Sequence, residues 1–159
     1  MSVFKIKQSQ FLPISVETAW EFISNPRNLS DITPPDMKFE VTSEVPEKMY
    51  AGMIITYKVR PLFGIPVSWV TEITHVNEPD YFVDEQRFGP YSFWHHSHFI
   101  KPVEGGVEME DIVYYKLPFS FLGKLVQPLL VRRRLESIFS YRKSVLEKMF
   151  PIKNNTPKL

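Results

Sequence analysis

In Trp94-His95-His96-Ser97-His98 two imidazoles stand two residues apart, with Asp84 earlier in the chain and Asp111 later. Histidine has an ordinary pKa of about 6.5, so it exchanges protons near neutral pH, and a carboxylate beside one ring nitrogen orients the other. His96, His98, Asp84 and Asp111 are therefore the candidate catalytic residues. In such a set His96 or His98 removes a proton next to a carbonyl, and Asp111 or Asp84 fixes its tautomer. The spacing also puts both imidazoles on one face of a strand about 7 Å apart, which suits metal ligation when a carboxylate joins them. A third histidine is not assured, because His75 falls two strands away. A site that only holds the polar end of a ligand uses the same donors and acceptors. So does an inert core whose polar members satisfy one another.

The second chemical feature is the basic run Val131-Arg132-Arg133-Arg134, which with Lys124 has the charge to meet a phosphate, an anionic lipid head group or RNA. Three consecutive helical positions fan over about 200°, however, and Glu136 is close by, so a solvated helix face is expected. The whole chain has 19 Lys+Arg against 18 Asp+Glu, a net charge of +1 that supplies no field for drawing in nucleic acid or an anionic membrane. It contains no cysteine, which removes disulfides, thiolate metal sites and thiol catalysis. No stretch approaches the roughly 18 apolar residues of a membrane span, and MSVFKIKQSQFLPIS lacks an apolar run of signal-peptide length. A cytoplasmic protein without stable membrane insertion or a nucleic-acid partner is expected.

These side chains need a frame. With 159 residues, 43% of them hydrophobic, the chain suits one domain with one core, over 1–150, followed by a flexible tail over 151–159. Val3–Leu12 reads as a first strand. Ser15 then caps a short helix with Ala19, Trp20, Phe22 and Ile23 inward, and Arg27–Ile32 reads as a second short helix before Thr33-Pro34-Pro35-Asp36. A period of two follows, predicting strands at Met37–Ser43, Met53–Arg60, Val67–Val76, Tyr81–Phe88, Ser92–Ile100 and Val107–Lys116. After Pro118 the period becomes helical, and Leu125, Leu129, Leu135, Ile138, Phe139, Val145, Leu146 and Met149 form one stripe of a long helix starting near Pro128. The class is α+β. Short linkers imply antiparallel neighbours, and a seven-stranded sheet that curls around the long helix leaves a cavity between them.

Alternation sorts the two faces. Lys58, Arg60, Glu108, Glu110 and His95 fall outside. Inward fall Tyr57, Trp69, Thr71 and His75, then Phe82, Asp84 and Gln86, then Trp94, His96, His98 and Ile100, then Val107, Met109, Asp111, Val113 and Tyr115. Bridging Lys101–Gly106 as a loop sets Ile100, His98, His96 and Trp94 roughly opposite Val107, Met109, Asp111 and Val113. The predicted ligand-binding residues are Tyr57, Trp69, Thr71, Gln86, Trp94, His96, His98, Met109 and Asp111, joined by Arg142 from the helix. Arg142 lies on the apolar stripe, where a charge needs a partner; Asp111 or Asp31 could supply it, and inward Asp111 is favoured over exposed Glu108 or Glu110.

Phe82-x-Asp84-x-Gln86-x-x-Gly89-Pro90, Trp94-x-His96-x-His98-Phe99, Asp111-x-Val113-x-Tyr115 with Pro118 and Gly123, and Ile138-Phe139-x-Tyr141-Arg142 resemble the SRPBCC superfamily of bacterial ligand-binding and polyketide cyclase/dehydrase-like proteins. These share the helix-grip fold of START domains and the major birch pollen allergen. The resemblance runs from the first strand through Arg142, and Gly105-Gly106-Val107 departs from the Gly-Thr usual before the Asp-bearing strand. It implies a deep apolar cavity for a lipid, quinone or polyketide-like molecule, and argues against a metal; no cofactor is expected. It implies no reaction, since the superfamily holds carriers, receptors, cyclases and chaperone activators. Three functions follow: a carrier of a hydrophobic small molecule, a cyclase/dehydrase-type enzyme using a His/Asp pair, or a protein-interaction module. In the last, Arg132–Arg134 and the apolar Pro61–Pro66 loop make contact, and such loops also leave a homodimer open.

Overall fold

The computed structural model describes residues 3–61, 63–118 and 130–152. Seven strands alternate in burial: β1 Phe4–Leu12, β2 Glu40–Val41, β3 Met53–Val59, β4 Val67–Asn77, β5 Tyr81–Phe88, β6 Phe93–Val103 and β7 Gly106–Lys116. They form one antiparallel sheet in the order β1-β7-β6-β5-β4-β3-β2. Helix α1 spans Val16–Ile23 and helix α2 spans Arg132–Met149. The Ser15 hydroxyl caps α1 by accepting from the Thr18 N–H at 3.2 Å. Two 3₁₀ turns, Pro26–Ser30 and Pro35–Met37, carry the chain from α1 to the sheet edge.

The second predicted strand is much shorter than Met37–Ser43. Pro34 and Pro35 start a turn, and Lys38 takes a left-handed φ of 44°, so an extended backbone is established only at Glu40. The β6–β7 connection is tighter than predicted: Val103 pairs with Gly106 across a turn of Glu104 and Gly105, where Gly105 takes φ +79°. This moves the register by two, so that Trp94 opposes Tyr115, His96 opposes Val113, His98 opposes Asp111 and Ile100 opposes Met109. A slip of two leaves every side chain on its predicted face. Gly106 permits the close approach of β1, because a Cβ there would run into the Leu12 carbonyl.

β4 departs from strict alternation. Ile73 pairs with Asp84 and His75 with Val83, so Thr74 is an extra residue in the ladder. That bulge turns His75 to the solvent, against the sequence reading, and packs Val76 against the core.

Leu135, Phe139, Arg142 and Leu146 form the buried stripe of α2. Met149, predicted inward, is 43% exposed. The cover at that end comes from Phe150, whose ring meets Phe22 edge-on at 5.4 Å. Leu125, Pro128 and Leu129, like Gly123 and residues 153–159 of the predicted tail, lie outside the described residues. The core has two clusters: one joins α1 to Ile55, Tyr57, Phe82 and Leu146, the other joins Trp94, Val113 and Tyr115 to Leu135 and Phe139. Among the described residues no helix is long and apolar enough to cross a membrane.

Candidate functional site

Between the sheet and α2 lies a cavity of about 170 Å³. β3 lends it Ile55, Tyr57 and Val59, and β4 lends Trp69, Thr71 and Ile73. β5 and β6 contribute Phe82, Asp84, Trp94, His96 and His98, and α2 closes it with Leu135, Ile138, Phe139 and Arg142. An apolar cavity of roughly 150 Å³ holds benzene, so this one has the volume of a site for a ring-sized molecule.

The polar members form one cluster. His98 Nε2 lies 2.7 Å from Asp84 Oδ2, and His96 Nε2 lies 2.9 Å from Asp111 Oδ1. The other ring nitrogens cross over: His96 Nδ1 is 3.3 Å from Asp84 Oδ2 and His98 Nδ1 is 2.9 Å from Asp111 Oδ1. This last contact is close but out of hydrogen-bonding alignment, and His98 Nδ1 is a buried nitrogen without a hydrogen-bond partner. The two imidazole centroids lie 3.7 Å apart with the rings tilted by 37°, and His98 is stacked on Phe82 at 4.1 Å. Trp94 Nε1 donates to Asp84 Oδ1 at 3.3 Å, and Arg142 donates from Nη1 to Asp111 Oδ1 at 3.4 Å. The partner chosen for Arg142 from the helix stripe is thus the one it meets.

Burial alone would push both carboxyls up. At Asp84 it is outweighed by the charge of His96 and by hydrogen bonds from both imidazoles, which hold the group well below its ordinary value. At Asp111 the Arg142 guanidinium does the same, with the histidines adding to it. Burial would lower His96, but Asp84 and Asp111 raise it above 6.5. Tyr57 is pushed up by burial and by Asp84, although Thr71 hydrogen-bonds its hydroxyl.

Tyr57, Trp69, Thr71, Trp94, His96, His98 and Arg142 all line the cavity, and Asp84 joins them. Gln86 does not. Its amide donates to the Tyr91 carbonyl at 2.6 Å and its oxygen accepts from the Tyr91 N–H at 3.2 Å, so it clamps the β5–β6 connection. Met109 and Asp111 lie behind the histidines, lining a second void of about 10 Å³ with Gln8, Gln10 and Arg142. That void has room for one water. Sequence parity passed over Tyr91, Phe39, Leu29 and Arg134, which also line the main cavity. Leu29 lies in the 3₁₀ turn Pro26–Ser30 and Phe39 just short of β2, while Tyr91 falls in the β5–β6 connection, where an aromatic beside Gly89-Pro90 is the only signal it offers. Arg134 donates to the Pro61 carbonyl at 3.0 Å and meets Asp36 at 2.7 Å, while Arg132 meets Glu136 at 2.9 Å. The basic run is spread over separate partners.

Asp84, His96 and His98 have the residue types of a metal site, their ligand atoms all within 4.8 Å of one another. The 2.7 Å separation of His98 Nε2 and Asp84 Oδ2 matches a hydrogen bond, whereas ligands about 2.1 Å from a tetrahedral ion stand further apart, and Arg142 brings a positive charge to the neighbouring Asp111. For acid–base work a base needs a free nitrogen; both nitrogens of His96 face carboxylate oxygens.

A sheet of seven antiparallel strands holding a C-terminal helix, with an apolar cavity and a buried polar cluster between, is the helix-grip architecture of START-type proteins. A START superfamily protein from Mycobacterium smegmatis superposes with a TM-score of 0.69 at 13% identity, over 91% of this chain and 98% of that one. Protein Ms6760 from the same organism gives 0.65 at 17% identity, over 94% and 98%, and Ara h 8.0201 gives 0.57 at 11%, over 92% and 99%. The sequence matches no protein-family model and no curated protein. Similarity at these identities establishes the fold.

Proposed function

We propose that the protein binds a hydrophobic small molecule of one or two rings in the cavity between the sheet and α2. The carrying observation is the cavity itself: about 170 Å³, walled by aromatic and aliphatic side chains, with Asp84, His96, His98 and Arg142 among its lining. That is the make-up of a small-molecule site, in which apolar walls supply affinity and a few polar groups set orientation. The fold shared with START-type proteins supports the reading. Trp69 and Trp94, edge to face at 5.2 Å, give it an optical handle.

The test is calorimetry with 2-naphthol, alongside native mass spectrometry of freshly purified protein. One-to-one binding is expected, together with a change in tryptophan emission and loss of binding in Ile73→Phe, which fills the cavity from β4. Absence of binding by a folded protein, or equal binding by Ile73→Phe, overturns the proposal.

A further inference from the structure

Among the described residues two buried side-chain nitrogens lack a hydrogen-bond partner, His98 Nδ1 and Arg142 Nε, and both residues line the main cavity. His98 is 5% exposed and Arg142 9%. The acceptors beside them are already engaged. Asp84 receives the Trp94 indole and His98, with His96 close by, and Asp111 receives His96 and Arg142. The Tyr57 and Thr71 hydroxyls bond each other. The spare donor of this wall is the Arg142 Nε–H, which is open to a ligand that brings an acceptor.

The charge count sharpens this. Asp84, Asp111 and Arg142 sum to minus one, which a single proton on the His96/His98 pair brings to neutrality. Four ring nitrogens face carboxylate oxygens, but three N–H groups are available with that one proton. One contact then sets a lone pair against an oxygen, and the misaligned His98 Nδ1 contact at 2.9 Å is the one that fits. A second proton would mend it but leave a buried excess of positive charge, unless a negative charge arrives with it.

We infer that the cavity takes a ring-sized carboxylic acid, its anion entering beside Arg142 and the histidine pair together with one proton from solvent. This rests on the ligand-binding reading above. The charged and titratable groups facing the pair are Asp84 on β5, Asp111 on β7, Arg142 on α2 and, beyond Asp84, Tyr57 on β3. β4 presents the Thr71 hydroxyl and β1 the Gln10 amide, whose nitrogen is tied to the Lys143 carbonyl at 2.9 Å. α1 reaches Phe82 through Trp20, with no charge. Asp84 and Asp111 both favour the charged form of His96.

The experiment compares 3-phenylpropanoate with 3-phenylpropanamide by calorimetry from about pH 6 to about pH 8.5, in phosphate and in Tris so that the difference in buffer heat counts protons. The acid is expected to bind at least about tenfold tighter than the amide near pH 6 and to weaken by up to about tenfold per pH unit as pH rises, with close to one proton taken up. The amide should show no slope. His98→Gln should flatten the acid's slope, and Arg142→Lys, which keeps the charge but loses Nε, should weaken the acid more than the amide. If 2-naphthol and the amide bind while the acid binds no better and without proton uptake, this inference falls and the ligand-binding proposal stands. If no probe binds, both fall.

Discussion

Replacing Arg142 by methionine removes a cation that is 9% exposed on the inner face of α2, its Nη1 3.4 Å from Asp111 and its guanidinium 5.4 Å from the Phe139 ring centre. Losing one partner of a buried pair typically costs about 3–5 kcal/mol, against roughly 0–1 kcal/mol at the surface. The lower end applies here. The 3.4 Å contact is longer than the usual charge-assisted bond of about 2.7–2.9 Å, and Asp111 keeps His96 at 2.9 Å. Methionine also retains much of the apolar packing. About 3 kcal/mol translates into a fall in Tm of about 6–12 °C for a domain of this size. The loss should be smaller near pH 5.5 than near pH 8, because a second proton on the imidazole pair can replace the missing charge. Asp111→Asn combined with Arg142→Met restores neutrality with one proton, so the double variant should lose less than the two single losses added. Urea denaturation of the four proteins at both pH values measures all of this. Additive losses below about 1 kcal/mol would place Arg142 at the surface and rotate the helix face on which the site rests.

The wild-type protein should itself show a stability plateau. His96 lies above its ordinary 6.5, so its contribution is complete below that pH and is lost as pH rises through the raised value. Asp84 and Asp111 lie below their ordinary 3.8, so theirs is present above that pH and is lost as pH falls. A urea midpoint that climbs steadily from pH 5 to pH 8 would contradict the cluster as described. Gly106→Ala should cost about 1–3 kcal/mol, because its Cβ must displace the Leu12 backbone. A neutral result in thermal denaturation would show that β1 does not approach so closely.

Faces were legible in the sequence, and positions along a face were not. Alternation put Thr71, Asp84, His96, His98 and Asp111 on one side because a strand's period is two whatever its neighbours do. Arg142 and Asp111 could be paired in advance because a cation on an apolar helix stripe has few places to discharge. The α+β class, the antiparallel sheet and the long final helix came from the same periodicities. Alternation is silent about an inserted residue, so the Thr74 bulge, which turned His75 outward, was invisible until β4 lay against β5. It is equally silent about side chains that leave their strand's business for a turn, as Gln86 does on Tyr91. The two-residue slip of β6 against β7 changed which histidine opposes Asp111 without moving any face. The tertiary structure alone decided the size of the cavity, the crossed contacts of His96 and His98 with both carboxylates, and the two nitrogens left without partners. Those properties depend on distances between elements remote in the chain, set by sheet curvature and helix seating, and local periodicity carries no information about either.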